Sequence, residues 1–221
     1  MPRKIWYASY GSNLLRARFL AYIRGGRPPG AQFVQVGCSD PTPPSHDHGI
    51  MIHHGLYFAE QSVHWGNAGV AFIETGKDSM AKTLGRMYLI SADQFREVVL
   101  QENGYRRMNV DLGIDLERTQ QEGRSEIRGE FYRTLLFLGE EGGHPIFTFT
   151  AAGGLEKASL NPPSPLYLSI IAKGLQETFG LSDPGIVEYL QDRPGIKGLM
   201  SVDEVEKTVR GPKIVYPNSF T

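Results

Sequence analysis

The chain has a single cysteine, Cys38, among its 221 residues. A disulfide within the chain is therefore excluded, and a reducing compartment, the cytoplasm, is the expected setting. No motif surrounds Cys38, so it reads as a small buried or loop thiol rather than a nucleophile. Long apolar runs are also lacking. No stretch approaches the ~18 apolar residues of a membrane span. The apolar Ile5-Trp6-Tyr7-Ala8 behind Met1-Pro2-Arg3-Lys4 is interrupted by Ser9, Gly11, Ser12 and Asn13, too early for a signal sequence. Charge of one sign is not in excess. Lys and Arg number 23 against 24 Asp and Glu, so the overall field has no pull toward nucleic acid or acidic lipid. No G-x-S-x-G elbow supports a serine hydrolase, and a lone glycine at Gly11 is too little for a nucleotide loop. Repeats and low-complexity tracts are absent. One domain over residues 1–221 is expected, with enough chain to bury a core.

What is present is a set of strands interrupted by helices without strict alternation. Ile5 to Tyr10 is aromatic-rich and predicts a strand. It breaks at Gly11-Ser12-Asn13, where Asn13 suits the N-cap of a helix from Leu14 to about Ile23, with Leu15, Phe19, Tyr22 and Ile23 as its apolar stripe. Residues 25–45 are loop punctuation around one short strand at Phe33 to Val36. Strands are predicted near Ile50–Phe58, Ala68–Glu74, Thr83–Ile90, Phe131–Leu138 and Ile146–Thr150. Ser91-Ala92-Asp93-Gln94 has the spacing of a capping box and opens a helix to about Glu102, which Gly104 stops. Further helices are expected from Ser164-Pro165 to Phe179, after Asp183-Pro184, and after Ser201, where Ser201-Val202-Asp203-Glu204 is a second capping box. The pattern favours α+β over a doubly wound sheet.

Glu102 is the most informative residue. On its helix Phe95, Val98 and Val99 lie at i, i+3 and i+4, and Glu102 takes i+7 on the same stripe. A carboxylate there either swings out to water from the last turn or points into a partly dry pocket. In a dry pocket desolvation raises its pKa, which suits a group that takes and returns a proton. Spacing alone leaves both open. The Gly11-Ser12-Asn13 turn is equally open. It is either a plain strand-to-helix connection or a set of backbone donors backed by a helix dipole. His46, His48, His53 and His54 cluster in sequence, yet His53 and His54 must face opposite ways in a strand and no cysteine has ligand spacing, so no metal site is expected. Glu140-Glu141 reads as a solvated turn, and Arg106-Arg107 as surface charge able to meet a carboxylate.

Tyr10-Gly11-Ser12-Asn13-Leu14, following an aromatic strand and opening a helix, resembles the Y-G-S-N-L signature of the gamma-glutamyl cyclotransferases. Two weaker segments follow in the family's order. One is Gly85-Arg86-Met87-Tyr88 with the capped helix into Gln101-Glu102-Asn103-Gly104. The other is Pro163-Ser164-Pro165-Leu166-Tyr167, running through Ile170, Ile171 and Gly174 to Gly180-Leu181. The resemblance covers roughly residues 5 to 181. It implies a small mixed β-barrel of about five to seven strands flanked by helices. It also implies conversion of a γ-glutamyl amino acid or amine to 5-oxoproline and a free amine, the chemistry of glutathione metabolism, with no cofactor and no metal. A small-molecule γ-glutamyl substrate is the implied partner, with no nucleic acid or membrane, in a monomer or homodimer. Carried over, Glu102 becomes the general acid/base, and Tyr10, Gly11, Ser12, Asn13, Leu14 and Tyr167 line the substrate cavity. Asn103 stands between Glu102 and Gly104, where the family's eukaryotic enzymes are expected to carry the glycine directly, a departure that bears on substrate choice. The alternative is a non-enzymatic ligand-binding or interaction module on the same fold.

Overall fold

The computed structural model describes residues 3–31, 33–106 and 109–211. Met1, Pro2 and Arg107, considered above, lie outside them. Six strands form one sheet in the order β2-β5-β1-β8-β7-β6, with β1 (Lys4–Ser9), β2 (Asp47–Ile52), β5 (Thr83–Ser91), β6 (Arg124–Glu126), β7 (Thr134–Glu141) and β8 (His144–Thr150). All neighbours are antiparallel except β1 and β8, which run parallel. A separate two-stranded ribbon pairs β3 (Leu56–Ser62) with β4 (Ala68–Ile73). The helices are α1 (Arg16–Arg24), α2 (Ala92–Glu102), α3 (Leu116–Glu122), α4 (Pro165–Phe179), α5 (Asp183–Gln191) and α6 (Val202–Val209). The fold class is α+β.

Among the described residues the sheet is not closed into the expected barrel. The sheet keeps two open edges, β2 and β6, and the ribbon joins it through a side chain rather than a ladder. Thr150 Oγ1 accepts from Ile73 N at 3.1 Å and donates to Ile73 O at 2.7 Å. The predicted single strand at Ile50–Phe58 is two strands in different sheets, β2 and β3. The run of apolar residues hides the break at His53-His54-Gly55. No strand forms at Phe33–Val36, where one isolated bridge, Gly26 to Gln35, pins the loop.

The central strand β1 is buried on both faces, and its alternation divides the core. Ile5 and Tyr7 pack with Phe19, Tyr22, Phe95, Val98 and Val99 of α1 and α2. Trp6 and Ala8 pack with Phe58, Phe72, Leu168, Ile171 and Ile186 of the ribbon, α4 and α5. α2 forms where the sequence placed it. Ser91 accepts from Gln94 N while the Gln94 side chain accepts from Ser91 N, the full capping box. Its Phe95, Val98 and Val99 are fully buried, each stabilising by about 1.5–3 kcal/mol. That burial fixes the rotation of the helix and hence the direction of Glu102.

Candidate active site

The three sequence segments converge at the end of β1. Tyr10 leaves the strand, Gly11 turns, and Ser12–Leu14 form a single 3-10 turn before α1 begins at Arg16. Asn13 does not cap α1, whose N-cap position is Leu15 with no side-chain bond. Its amide is used elsewhere: Asn13 Nδ2 donates to Glu102 Oε1 at 2.7 Å. The Asn13 carbonyl accepts from the Tyr88 hydroxyl at 2.7 Å, which fixes the residue from the other side. Asn13 Oδ1 is buried without a partner.

Leu14 needs a correction. It does not line the cavity; it is fully buried in the core. A methyl group added at Gly174 of α4 would lie 2.5 Å from Leu14 Cβ. The leucine of the first segment and the glycine of the third are thus two halves of one close contact that brings α4 to the turn.

Glu102 is partly buried at the end of α2 and points inward. Burial raises its pKa above the ordinary 4.5, against the opposing pull of the Arg18 charge and hydrogen bonds from Asn13 and Tyr22. Its immediate surroundings are a cavity of about 30 Å³ lined by Tyr7, Tyr10, Gly11, Ser12, Asn13, Tyr132 and Tyr167. Ser12, Glu102, Tyr132 and Tyr167 also line a cleft of about 450 Å³. Of the expected lining residues, Tyr10, Gly11, Ser12, Asn13 and Tyr167 are therefore brought together with Glu102. The Tyr10 hydroxyl is already engaged, donating to Phe149 O at 2.7 Å. Tyr167 accepts from Ala71 N at 3.1 Å, and burial pushes its phenol up to about 12, so it stays neutral. A Cβ at Gly11 would meet the Tyr167 hydroxyl at 3.0 Å and press on that phenol.

The structure gives roles to two further residues. Asn103 is a clamp. Its Oδ1 accepts from both Phe131 N and Tyr132 N at 2.9 Å, and its Nδ2 donates to Val99 O at 3.0 Å. It holds the wall made by Phe131 and Tyr132 against the end of α2. Arg18 is buried and lines the cleft. A signal for it existed, since Arg18 interrupts the apolar stripe Leu15, Phe19, Tyr22 as Glu102 interrupts its own.

A second network braces the turn from beneath. Arg86 Nη1 reaches Glu177 at 2.7 Å and Leu14 O at 3.4 Å, Arg86 Nε reaches Asp47 at 2.8 Å, and Arg16 reaches Asp47 at 3.0 Å. Burial works against the charge on Asp47, but the two arginines hold its pKa below the ordinary 3.8.

The histidines disperse. His48 pairs with Glu141 at 2.7 Å, His53 with Ala81 O at 3.1 Å and His54 with Glu74 O at 2.7 Å. Among the described residues no group of three or more His, Cys, Asp or Glu is placed to hold a metal ion. Cys38 shares its Sγ with Tyr22 O at 3.3 Å, and burial pushes its thiol up. A larger groove of about 670 Å³ around Arg3, Arg96 and Arg118 holds charges already paired, with Glu117, Asp93 and Glu122 respectively. No helix among the described residues is long and apolar enough to cross a membrane.

No family model matches the sequence. Among curated proteins the chain is similar to Histone deacetylase 5 of Arabidopsis thaliana, 34% identical over 201 residues, which covers 84% of this chain and 30% of that protein. The chain thus spans less than a third of the length of the curated relative it matches. Similar solved structures include an uncharacterized protein from Homo sapiens, 17% identical over 95% of this chain and 99% of that one with a TM-score of 0.47. Another is described as a Gamma-glutamyl cyclotransferase, 19% identical over 94% of this chain and 98% of that one, also at 0.47. A third is a yeast gamma-glutamyl cyclotransferase specific to glutathione, 14% identical over 94% of this chain and 96% of that one, with a TM-score of 0.32.

Proposed function

We propose that this chain is a gamma-glutamyl cyclotransferase-like enzyme, releasing 5-oxoproline and a free amine from a γ-glutamyl amino acid or amine, with Glu102 as its general acid/base. The observation that carries the reading is the inward Glu102 carboxyl, held by Asn13 at 2.7 Å at the base of an open cleft. The three-segment sequence resemblance supplies the reaction class.

The reaction joins the substrate's own α-nitrogen to its γ-carbonyl carbon. The α-ammonium cannot attack until it loses a proton, and Glu102 accepts it. The freed amine adds to the carbonyl and closes a five-membered ring. The oxyanion that forms lies at the Gly11–Asn13 turn, where the Asn13 N–H is not consumed by the turn itself and the Ser12 N–H meets the Tyr167 hydroxyl. Glu102 then returns the proton to the leaving nitrogen as the old carbon–nitrogen bond breaks, and takes the second proton from the ring nitrogen, which departs with the released amine as its ammonium. The raised pKa makes Glu102 a stronger base for the first half of this exchange, and each half contributes ~10²–10⁴-fold. Tyr132 and Tyr167 confine the glutamyl chain in its folded form. The outer walls include Phe33, Val34, Val36, Val63, Trp65 and Phe131 among polar neighbours such as Gln35, Gln61 and Glu130, so apolar and aromatic leaving amines are expected to be accepted.

The test is 5-oxoproline release from a panel of γ-glutamyl amino acids and amines by wild type and Glu102→Gln. Release by wild type that falls by ~10²-fold or more in a folded variant is the expected result. Binding of the panel by calorimetry with no release by either protein overturns the reading in favour of a ligand-binding module.

A further inference from the structure

Arg18 is 1% exposed, one of the most deeply buried side chains in the molecule. Guanidinium keeps its charge inside proteins, and a buried charge is costly unless it is paired. Yet among the described residues no carboxylate lies within ion-pair distance of it. Its Nη1 donates to Pro29 O at 3.1 Å. Its flat face lies on Trp65, with Cζ 4.6 Å from the ring centroid. Its Nε is buried without any partner. The planar fork is therefore stacked, oriented and largely unspent, in the wall of the cleft that also holds Glu102.

The other cations of that cleft do not compete. Arg106 is exposed at the rim. Burial and the charges of Arg18 and Arg106 hold His64 below its ordinary pKa, hence neutral at neutral pH.

We propose that Arg18 is the carboxylate-binding residue of this cleft, taking the α-carboxylate of the γ-glutamyl group in the fork left without a carboxylate partner beside Trp65. This rests on the reaction proposed above, and the chemistry of the substrate makes it specific. The α-ammonium and α-carboxylate share one carbon, so the group that deprotonates the first and the group that holds the second must be neighbours. Glu102 and Arg18 are neighbours that do not pair with each other. An incoming carboxylate completes the guanidinium without quenching the acid. A bidentate anion uses two donors in one plane, which a guanidinium offers and an ammonium does not. The site therefore selects γ-glutamyl compounds with a free α-carboxylate and rejects those in which it is amidated.

The experiment compares L-γ-glutamyl-4-nitroanilide with its α-carboxamide on wild type, Arg18→Lys and Arg18→Met. Wild type is expected to prefer the acid on the order of 100-fold in kcat/KM. Arg18→Met is expected to lose that preference, and Arg18→Lys to weaken it through KM. A wild-type preference below about threefold overturns the assignment, and that arm needs no variant to fold. So does a folded Arg18→Met that keeps the wild-type preference. Calorimetry with 5-oxoproline and its carboxamide separates this idea from the reaction itself. If wild type turns over neither anilide, the reaction reading fails alone. Arg18 then stands if wild type binds the acid and Arg18→Met does not, and falls if acid and amide bind alike or neither binds.

Discussion

Two arginines lie almost wholly inside this protein on either side of the Gly11–Leu15 turn, and they are used in opposite ways. Arg86, 7% exposed, meets Asp47 and Glu177 and braces the turn. Arg18, 1% exposed, meets a proline carbonyl and a tryptophan face. The carboxylates beside them differ in the same sense. Asp47 is held below its ordinary pKa, and Glu102 is held above its own. Where the charges are matched, the polar group serves the fold. Where they are left unmatched at a cleft, folding leaves an unfavourable term that a ligand can remove.

The sharpest way to break the comparison is to delete each cation. Arg86→Met leaves Glu177 without its partner and Asp47 with Arg16 alone, and is expected to destabilise by about 3 kcal/mol. Arg18→Met removes a buried unpaired charge and is expected to leave stability unchanged or improved. Urea unfolding of the two variants reads the contrast directly, and equal losses would erase it. A smaller effect separates the two asparagines near Glu102. Asn103 satisfies three backbone groups, so Asn103→Ala is expected to cost about 1–3 kcal/mol in the same assay. Asn13→Ala, which frees an already unsatisfied oxygen, is expected to cost less while lowering turnover. The smallest effect is in pH dependence. Glu102 carries more protons folded than unfolded, so its contribution to stability falls as pH rises through the window above 4.5. Asp47 carries fewer, so its contribution is present above 3.8 and is lost as pH falls through its lower folded value. Thermal melts of Glu102→Gln should therefore converge with wild type at acid pH and exceed it at neutral pH. Those of Asp47→Asn should fall short at neutral pH and converge in acid.

The sequence was most readable where a local rule and a tertiary demand coincide. The capping box and stripe of α2 gave its ends and its rotation, and with them the inward acid. Ser164-Pro165 and Gly180 bounded α4 for the same reason. The same stripe rule covers Arg18, which interrupts the apolar face of α1 as Glu102 interrupts that of α2. Leu14 belongs to a motif, and a motif also records packing, here against Gly174. Asn13 looked like a cap, and its amide went to Glu102 over a distance of 89 residues that no local pattern reports. α3 carries no periodic signal, because only Leu116 and Thr119 are buried on it, too few to make a stripe. Whether a sheet closes depends on which edges meet, and no single residue of β2 or β6 encodes that.

The tie between Thr150 and Ile73 has a consequence for inheritance. The ribbon shares no ladder with the main sheet, so a change in the length of its 62–67 turn does not shift the register of β1, β5 or β8. That turn carries Val63, His64 and Trp65 to the cleft, while the acid rides on α2. The part of the protein that meets the variable end of a ligand can thus be rewritten by insertion, deletion or recombination while the proton-handling part is copied unchanged.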